Sequence, residues 1–369
     1  HPLLCADNIT LHMFGQRASA DPCLVHQRRD RTVFPRRGRY RLMLSAPRLA
    51  NLLLDTPAKH VRQLIATLQP AVLHSLRMRD EAFIASDALV DLPRPARPIW
   101  LHSIWGDVHL GLHQHQIGGG QRVRSLLPEV DYWLADNARD LDLLRDYDAA
   151  GKLLGVFPTG GGYPVAAIQA HAVTPPAQRR LIALKGYQVA TAGQALLALE
   201  AVRRCADRIR DYHLVIYSAL GQAAAAEIQT TAARITAESG LLITLLPHSP
   251  PSVMWRLFGQ ARAAVAISRS DGTPNALLEA MCAGAMPIQS NTGGLETWIT
   301  DGENGFLVPY DDPAPIARAL EHVLHDDALV ERAAQINRVR TIERLDADVV
   351  RTAVRAMYGS VLEAGKPTR

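Results

Sequence analysis

Residues 268–296 read Ser-Arg-Ser-Asp-Gly-Thr-Pro-Asn-Ala-Leu-Leu-Glu-Ala-Met-Cys-Ala-Gly-Ala-Met-Pro-Ile-Gln-Ser-Asn-Thr-Gly-Gly-Leu-Glu, the chain's densest set of groups suited to an anionic, hydroxylated ligand. Glu279 stands in an otherwise apolar helical pattern, on the same face as Asn275. A carboxylate there needs a partner, and ligand hydroxyls donate well to a charged acceptor. Asp271 precedes it at the head of the loop. Gly272 permits close approach of a ligand. Thr273 is expected to cap the helix, with Pro274 at the first helical position, where no amide proton is needed. Amides at such a helix start form an anion site. Arg269 is a cation directly beside the loop, and Lys185-Gly186 follows a strand pattern at 180–184. The plainer alternatives are a solvated loop lysine for Lys185 and a surface glutamate or an internal salt bridge for Glu279.

These groups need strands and helices to hold them. A strand at 263–267 leads into the loop, and strand and helix patterns alternate on both sides. Strands are expected at 40–44, 71–74, 98–105, 132–135, 153–157, 213–218 and 241–246. Helices are expected at 57–69, 136–146, 193–209, 223–238, 313–325 and 328–339. Alternation of this kind predicts parallel sheets with right-handed crossovers. Val173-Thr-Pro-Pro176 reads as a linker, dividing the chain into residues 1–172 and 173–345. Residues 346–369 remain. There Val350, Val354, Met357 and Val361 form an apolar stripe at helical spacing, which needs cover. The final helix packs either on the C-terminal domain or back on the N-terminal one, and the stripe by itself leaves both open.

Asp271-Gly-Thr-Pro-Asn-Ala-Leu-Leu-Glu279, with Ala283-Gly284, Pro287-Ile288, Gly293-Gly294-x-Glu296 and Asp301-Gly-Glu-Asn-Gly305-Phe-Leu-Val308, resembles the acidic-x7-Glu region of retaining glycosyltransferases of family 4. The resemblance covers some forty residues and is much weaker elsewhere. It implies an α/β protein of GT-B-like fold, two Rossmann-like doubly wound domains facing across a cleft, with the C-terminal helix of residues 346–369 returning to the N-terminal domain. It implies a nucleotide diphosphate sugar as donor and a glycan or lipid-linked acceptor, with retention of configuration and no enzymatic nucleophile. In that scheme Glu279 binds the ribose and Asp271 contacts the transferred sugar. Gly272, Thr273, Pro274 and Asn275 border the donor, and Lys185 and Arg269 face the diphosphate. Asp107 and the Gly106 backbone are expected as sugar or acceptor contacts. Three departures from the pattern stand out. Asp271 replaces the usual Glu, Trp105 stands where a His is usual, and the arginine that normally accompanies the lysine has no clear counterpart, Arg179 and Arg180 lying before the strand. They keep a second reading open, a non-catalytic GT-B scaffold of a glycan-assembly complex. His102 is a weaker candidate for the site, or a core histidine.

The 369 residues, 48% hydrophobic and 21% charged, suit two ordinary globular domains. No apolar run has the length of a membrane span, and the four cysteines show no CxxC or metal spacing. The simplest expectation is a reduced, cytoplasmic setting. The start at His1 is read as a truncated N-terminus. Net charge is only +4, but seven arginines lie between Arg28 and Arg41. They form either a solvated loop or a patch for an anionic membrane surface. Without interleaved aromatics they do not suggest nucleic acid. No metal or other cofactor is expected. His109, His113 and His115 lack completing ligands, and Asp146-Tyr-Asp148 and Asp346-Ala-Asp348 read as solvated helix faces. Gly160-Gly-Gly162 is weak evidence for a phosphate loop.

Overall fold

The computed structural model describes residues 56–78, 80–106, 119–158, 161–189 and 192–367. The arginine run, the expected strand at 40–44, Asp107, His109, His113 and His115 lie outside the described residues. In chain order the elements begin with α1 (Pro57–Leu68), β1 (Val72–Leu76), α2 (Asp80–Leu89), β2 (Ile99–Ile104), α3 (Gly119–Leu126), β3 (Tyr132–Ala135), α4 (Ala138–Asp146), β4 (Lys152–Val156) and α5 (Val165–Gln169). They continue with β5 (Leu181–Lys185), α6 (Ala195–Cys205), β6 (His213–Tyr217), α7 (Gln222–Ser239), β7 (Leu242–Leu245), α8 (Pro251–Gln260), β8 (Ala261–Ala266) and α9 (Asn275–Cys282). The remainder are β9 (Met286–Ser290), β10 (Phe306–Val308), α10 (Pro313–His325), α11 (Asp327–Leu345) and α12 (Ala347–Ala364).

Two compact units result, one ending at Phe157 and resuming at Arg351, the other Pro158–Val350. The break therefore falls ahead of the expected 172/173 boundary. Residues just before the Pro-Pro pair belong to the second core, because Tyr163, Val165 and Ile168 are buried with α8 and α9. Arg179 is buried too, and its guanidinium donates to the carbonyls of Thr174, Ala261 and Ala283.

The first unit holds a parallel sheet in the order β1-β2-β3-β4. Successive side chains of a strand point to opposite faces, and both faces are covered. Trp100, Ile104, Trp133 and Ala135 join one core, while Ile99, Leu101, Tyr132 and Leu134 join another that includes Met357 and Val361 of α12. The apolar stripe of that helix thus finds cover on this sheet. Hydrogen bonds from Tyr132 Oη to the Gly365 carbonyl and between His74 Nδ1 and Tyr358 Oη fasten the same helix, each at 2.6 Å.

The second unit is a six-stranded parallel sheet ordered β10-β9-β8-β5-β6-β7. Its two faces are again separate cores. Ile182, Leu184, Leu214, Ile216, Ala263 and Val265 face α6, α7 and α10, whereas Ala183, Val215, Tyr217 and Ala264 face α5, α8 and α9. Small residues on β8 let the helices approach closely. Among the described residues no helix is long and apolar enough to cross a membrane.

Candidate functional site

Sequential strands run outward from β5 in one direction and from β8 in the other, so the order reverses between these two neighbours. Crossovers from β5 and β8 leave to opposite faces, which opens a crevice at the carboxyl ends of the strands. Ligands of doubly wound sheets bind at this switch point. Lys185 is the last residue of β5, and the 267–274 loop leaves β8 beside it.

Lys185 Nζ lies 3.4 Å from Asp271 Oδ2, joining a cation from one strand end to a carboxylate from the next. The other carboxylate oxygen, Asp271 Oδ1, accepts the Gly272 amide at 3.0 Å. Lys185 Nζ also sits 5.6 Å from the centre of the Tyr187 ring. Gly186 has to be glycine, since a Cβ there would meet Ile216 Cγ2 at 2.8 Å. Gly293, in the loop after β9, presses on the site from behind. A Cβ on it would stand 2.6 Å from the Gly272 carbonyl oxygen and 2.9 Å from that of Asp271.

The helix start differs by one residue from expectation. Pro274, at φ −69° and ψ 130°, is extended and provides the capping carbonyl, accepting from the amides of Leu277 and Leu278. Asn275 is the first helical residue, and Thr273 is buried one position too early to cap. Asn275 is exposed, and its Oδ1 accepts from Tyr163 Oη at 2.8 Å.

Glu279 is half-buried one turn further on. Burial pushes its carboxyl up to about 7, opposed by the Trp255 indole N–H, whose geometry falls short of a full hydrogen bond. Among the described residues no cation pairs with it. Its charge reaches the neighbouring phenols. Tyr163 and Tyr217 are both raised, chiefly by burial and then by Glu279. Cys282, buried on the same helix, is pushed up to about 12 by the same two causes among others, with burial the largest.

Arg269 is exposed and lies over the Tyr310 ring at 5.8 Å, beside the loop rather than on Asp271. The loop thus gathers Lys185, Arg269, Asp271, Gly272, Thr273, Pro274, Asn275 and Glu279. Tyr163, Tyr187, Trp255 and Tyr310 join them without having been singled out from the sequence. Tyr187 was findable, being two residues after Lys185. The others come from distant segments and carry no local signal.

Other sequence candidates have structural tasks. Arg179 is buried against carbonyls and does not reach the crevice. The Gly106 amide donates to Asp140 Oδ2 at 2.9 Å. His102 is fully buried, with Nδ1 at 2.7 Å from Ser75 Oγ and its ring edge-on to Trp133. Trp105 lies just past the end of β2 and is 37% exposed. Gly162 packs on α12, where a Cβ would stand 2.7 Å from Ala347 Cα. The Asp301–Gly305 turn is held by Asn304, which bonds Trp298 and Asn337. Among the described residues no group of three or more potential metal ligands converges.

The second unit is thus an open parallel α/β sheet with a cation, two carboxylates and a helix start gathered at its switch point. Residues 181–326, within the second unit, match the family described as glycosyl transferases group 1. Over 224 residues the chain is 25% identical to D-inositol 3-phosphate glycosyltransferase of Corynebacterium diphtheriae, covering 56% of this chain and 52% of the relative. Over 90 residues it is 37% identical to phosphatidyl-myo-inositol mannosyltransferase of Mycolicibacterium smegmatis, covering 24% and 23%. The chain thus matches about half the length of the first relative and about a quarter of the second. Sucrose-phosphate synthase of Thermosynechococcus elongatus superposes with a TM-score of 0.73 at 17% identity, over 98% of this chain and 91% of that one. Anabaena HepE, solved with UDP and glucose, gives a TM-score of 0.66 at 14% identity, over 86% and 83%. At such identities the likeness establishes the fold, which is of GT-B type.

Proposed function

We propose that this protein is a glycosyltransferase that takes a sugar from a nucleotide diphosphate sugar and passes it, with retention of configuration, to a glycan or lipid-linked acceptor. The observation that carries this reading is the pairing of Lys185 with Asp271 at the switch point, a loop and one helical turn from the Glu279 carboxyl, which no cation among the described residues pairs. The diphosphate lies toward Lys185, Arg269 and the start of α9, the ribose hydroxyls donate to Glu279, and the transferred sugar lies on the Asp271 side. Lys185 stabilises the departing diphosphate as its charge grows. Asp107 is assigned to the acceptor side. Retention, a setting in cell-surface polysaccharide assembly and an anionic membrane surface as partner are supported by family resemblance alone.

The test is consumption of donor. The protein is incubated with UDP-glucose, UDP-N-acetylglucosamine, GDP-mannose and ADP-glucose, and release of the nucleoside diphosphate is followed with and without chelator. One donor is expected to be hydrolysed slowly, without a tightly bound metal, and Lys185→Ala should slow it at least tenfold. Hydrolysis of none of them would favour a non-catalytic scaffold.

A further inference from the structure

The ion pair at the switch point has a consequence for how the site opens and empties. Asp271 Oδ2 faces Lys185 Nζ at 3.4 Å, and the two side chains are 36% and 19% exposed. The backbone behind the carboxylate is fixed, because Gly293 backs directly onto the Asp271 and Gly272 carbonyls. The pair can therefore part by side-chain rotation without a shift of the loop. Lys185 keeps a second contact when it parts, the face of Tyr187. A diphosphate oxygen and the Asp271 carboxylate carry the same sign of charge and seek the same ammonium group, so they compete.

We propose that the Lys185–Asp271 pair is an internal latch on the diphosphate position. This rests on the donor-site reading above. Asp271 takes the ammonium group that a phosphate oxygen of the donor would also seek. Donor binding displaces it, and its return to Lys185 helps expel the nucleoside diphosphate product. The carboxylate is thus a counterweight to product binding.

The test is calorimetric titration of UDP, UDP-glucose, GDP and GDP-mannose into wild type, Asp271→Asn, Lys185→Ala and the double variant. Asp271→Asn keeps the shape and the contact to Gly272 but removes the competitor. It should bind the free nucleoside diphosphate about two- to fivefold more tightly, the range expected for a partly exposed pair. The gain should vanish in the Lys185→Ala background, where no ammonium is left to contest. Unchanged diphosphate affinity with weaker nucleotide-sugar binding would make Asp271 a sugar ligand and overturn the latch. Weaker binding of both would make it a support for Lys185, and an equal gain with or without Lys185 would reduce the effect to bulk repulsion; either result overturns the proposal. Wild-type protein that binds none of the four would instead refute the donor-site reading itself, and the latch with it.

Discussion

Tyr163 Oη donates to Asn275 Oδ1 at 2.8 Å, tying the segment ahead of α5 to the first residue of the helix that carries Glu279. The same residue clasps the junction of α11 and α12, its amide donating to the Leu345 carbonyl and its carbonyl accepting from the Ala347 amide. One tyrosine thereby links the floor of the candidate site to the point where the chain leaves the second unit. Tyr163→Phe removes only the hydroxyl bond and is expected to cost about 0.5–1.5 kcal/mol of stability. Urea denaturation measures this, and an unchanged midpoint and slope would mean the bond contributes nothing.

Glu279 predicts a pH signature. Its folded pKa, near 7, exceeds the ordinary 4.5, so between those values the folded protein holds more protons than the unfolded one. Its contribution is full below the unfolded pKa and is lost as pH rises through the folded one. If ligand hydroxyls donate to the charged carboxylate, nucleotide binding should strengthen over the same rise and release a proton. Titrations in buffers of differing ionisation enthalpy detect that proton. Glu279→Gln should abolish it, and a proton release that persists in the variant would place the titration elsewhere.

Gly293 predicts a geometric failure. A methyl group there would overlap the Asp271 and Gly272 carbonyls. Gly293→Ala should therefore push the loop aside and cost about 1–3 kcal/mol, the usual range for overpacking. Thermal unfolding gives the stability term, and nucleotide affinity should fall with it. A variant as stable and as tight-binding as wild type would show the loop to be slack.

The first unit has an opposite pH dependence. Burial lowers His102 to about 3, with His74 adding to the effect, and burial lowers His74 to about 4. His74 bridges Ser103 Oγ and Tyr358 Oη, so its neutral ring helps seat α12 on the sheet. Both folded pKa values lie below the ordinary 6.5, so this stability is present above 6.5 and is lost as pH falls towards 4 and then 3. Trp100 and Trp133 lie beside His102 and report on it. Their emission should change in acid at lower denaturant than at neutral pH, with the difference reduced in His74→Gln. A stability profile flat across this range would contradict the assignment.

Legibility in the sequence followed locality. The strand at 132–135 coincides with its pattern, and the 98–105 run, apolar almost throughout, is a central strand buried on both faces. The loop around Asp271 was readable because a glycine, a proline, a cap and a helix pattern fall together within one short stretch. The shift of the α9 start by one residue came from Pro274, whose extended ψ makes it a cap and not a first turn. Helix α8 was not anticipated, since Pro251 and the aromatic residues after it give no clean helical alternation. Tyr163 and Trp255 could not be found, because they meet Asn275 and Glu279 only through tertiary packing. Arg179 shows the converse limit, a buried charged residue whose task is to satisfy three backbone carbonyls.

Nucleotide affinity of Glu279→Gln, measured above the Glu279 pKa of about 7, bears most directly on the central claim that this crevice holds a nucleotide sugar. Glutamine keeps the shape of the side chain but accepts hydrogen bonds without charge, a loss of about 1.5–3 kcal/mol. Calorimetry with the nucleoside diphosphate that wild type binds should show affinity reduced about tenfold or more. A folded Glu279→Gln protein that binds this nucleotide as tightly as wild type would contradict the account.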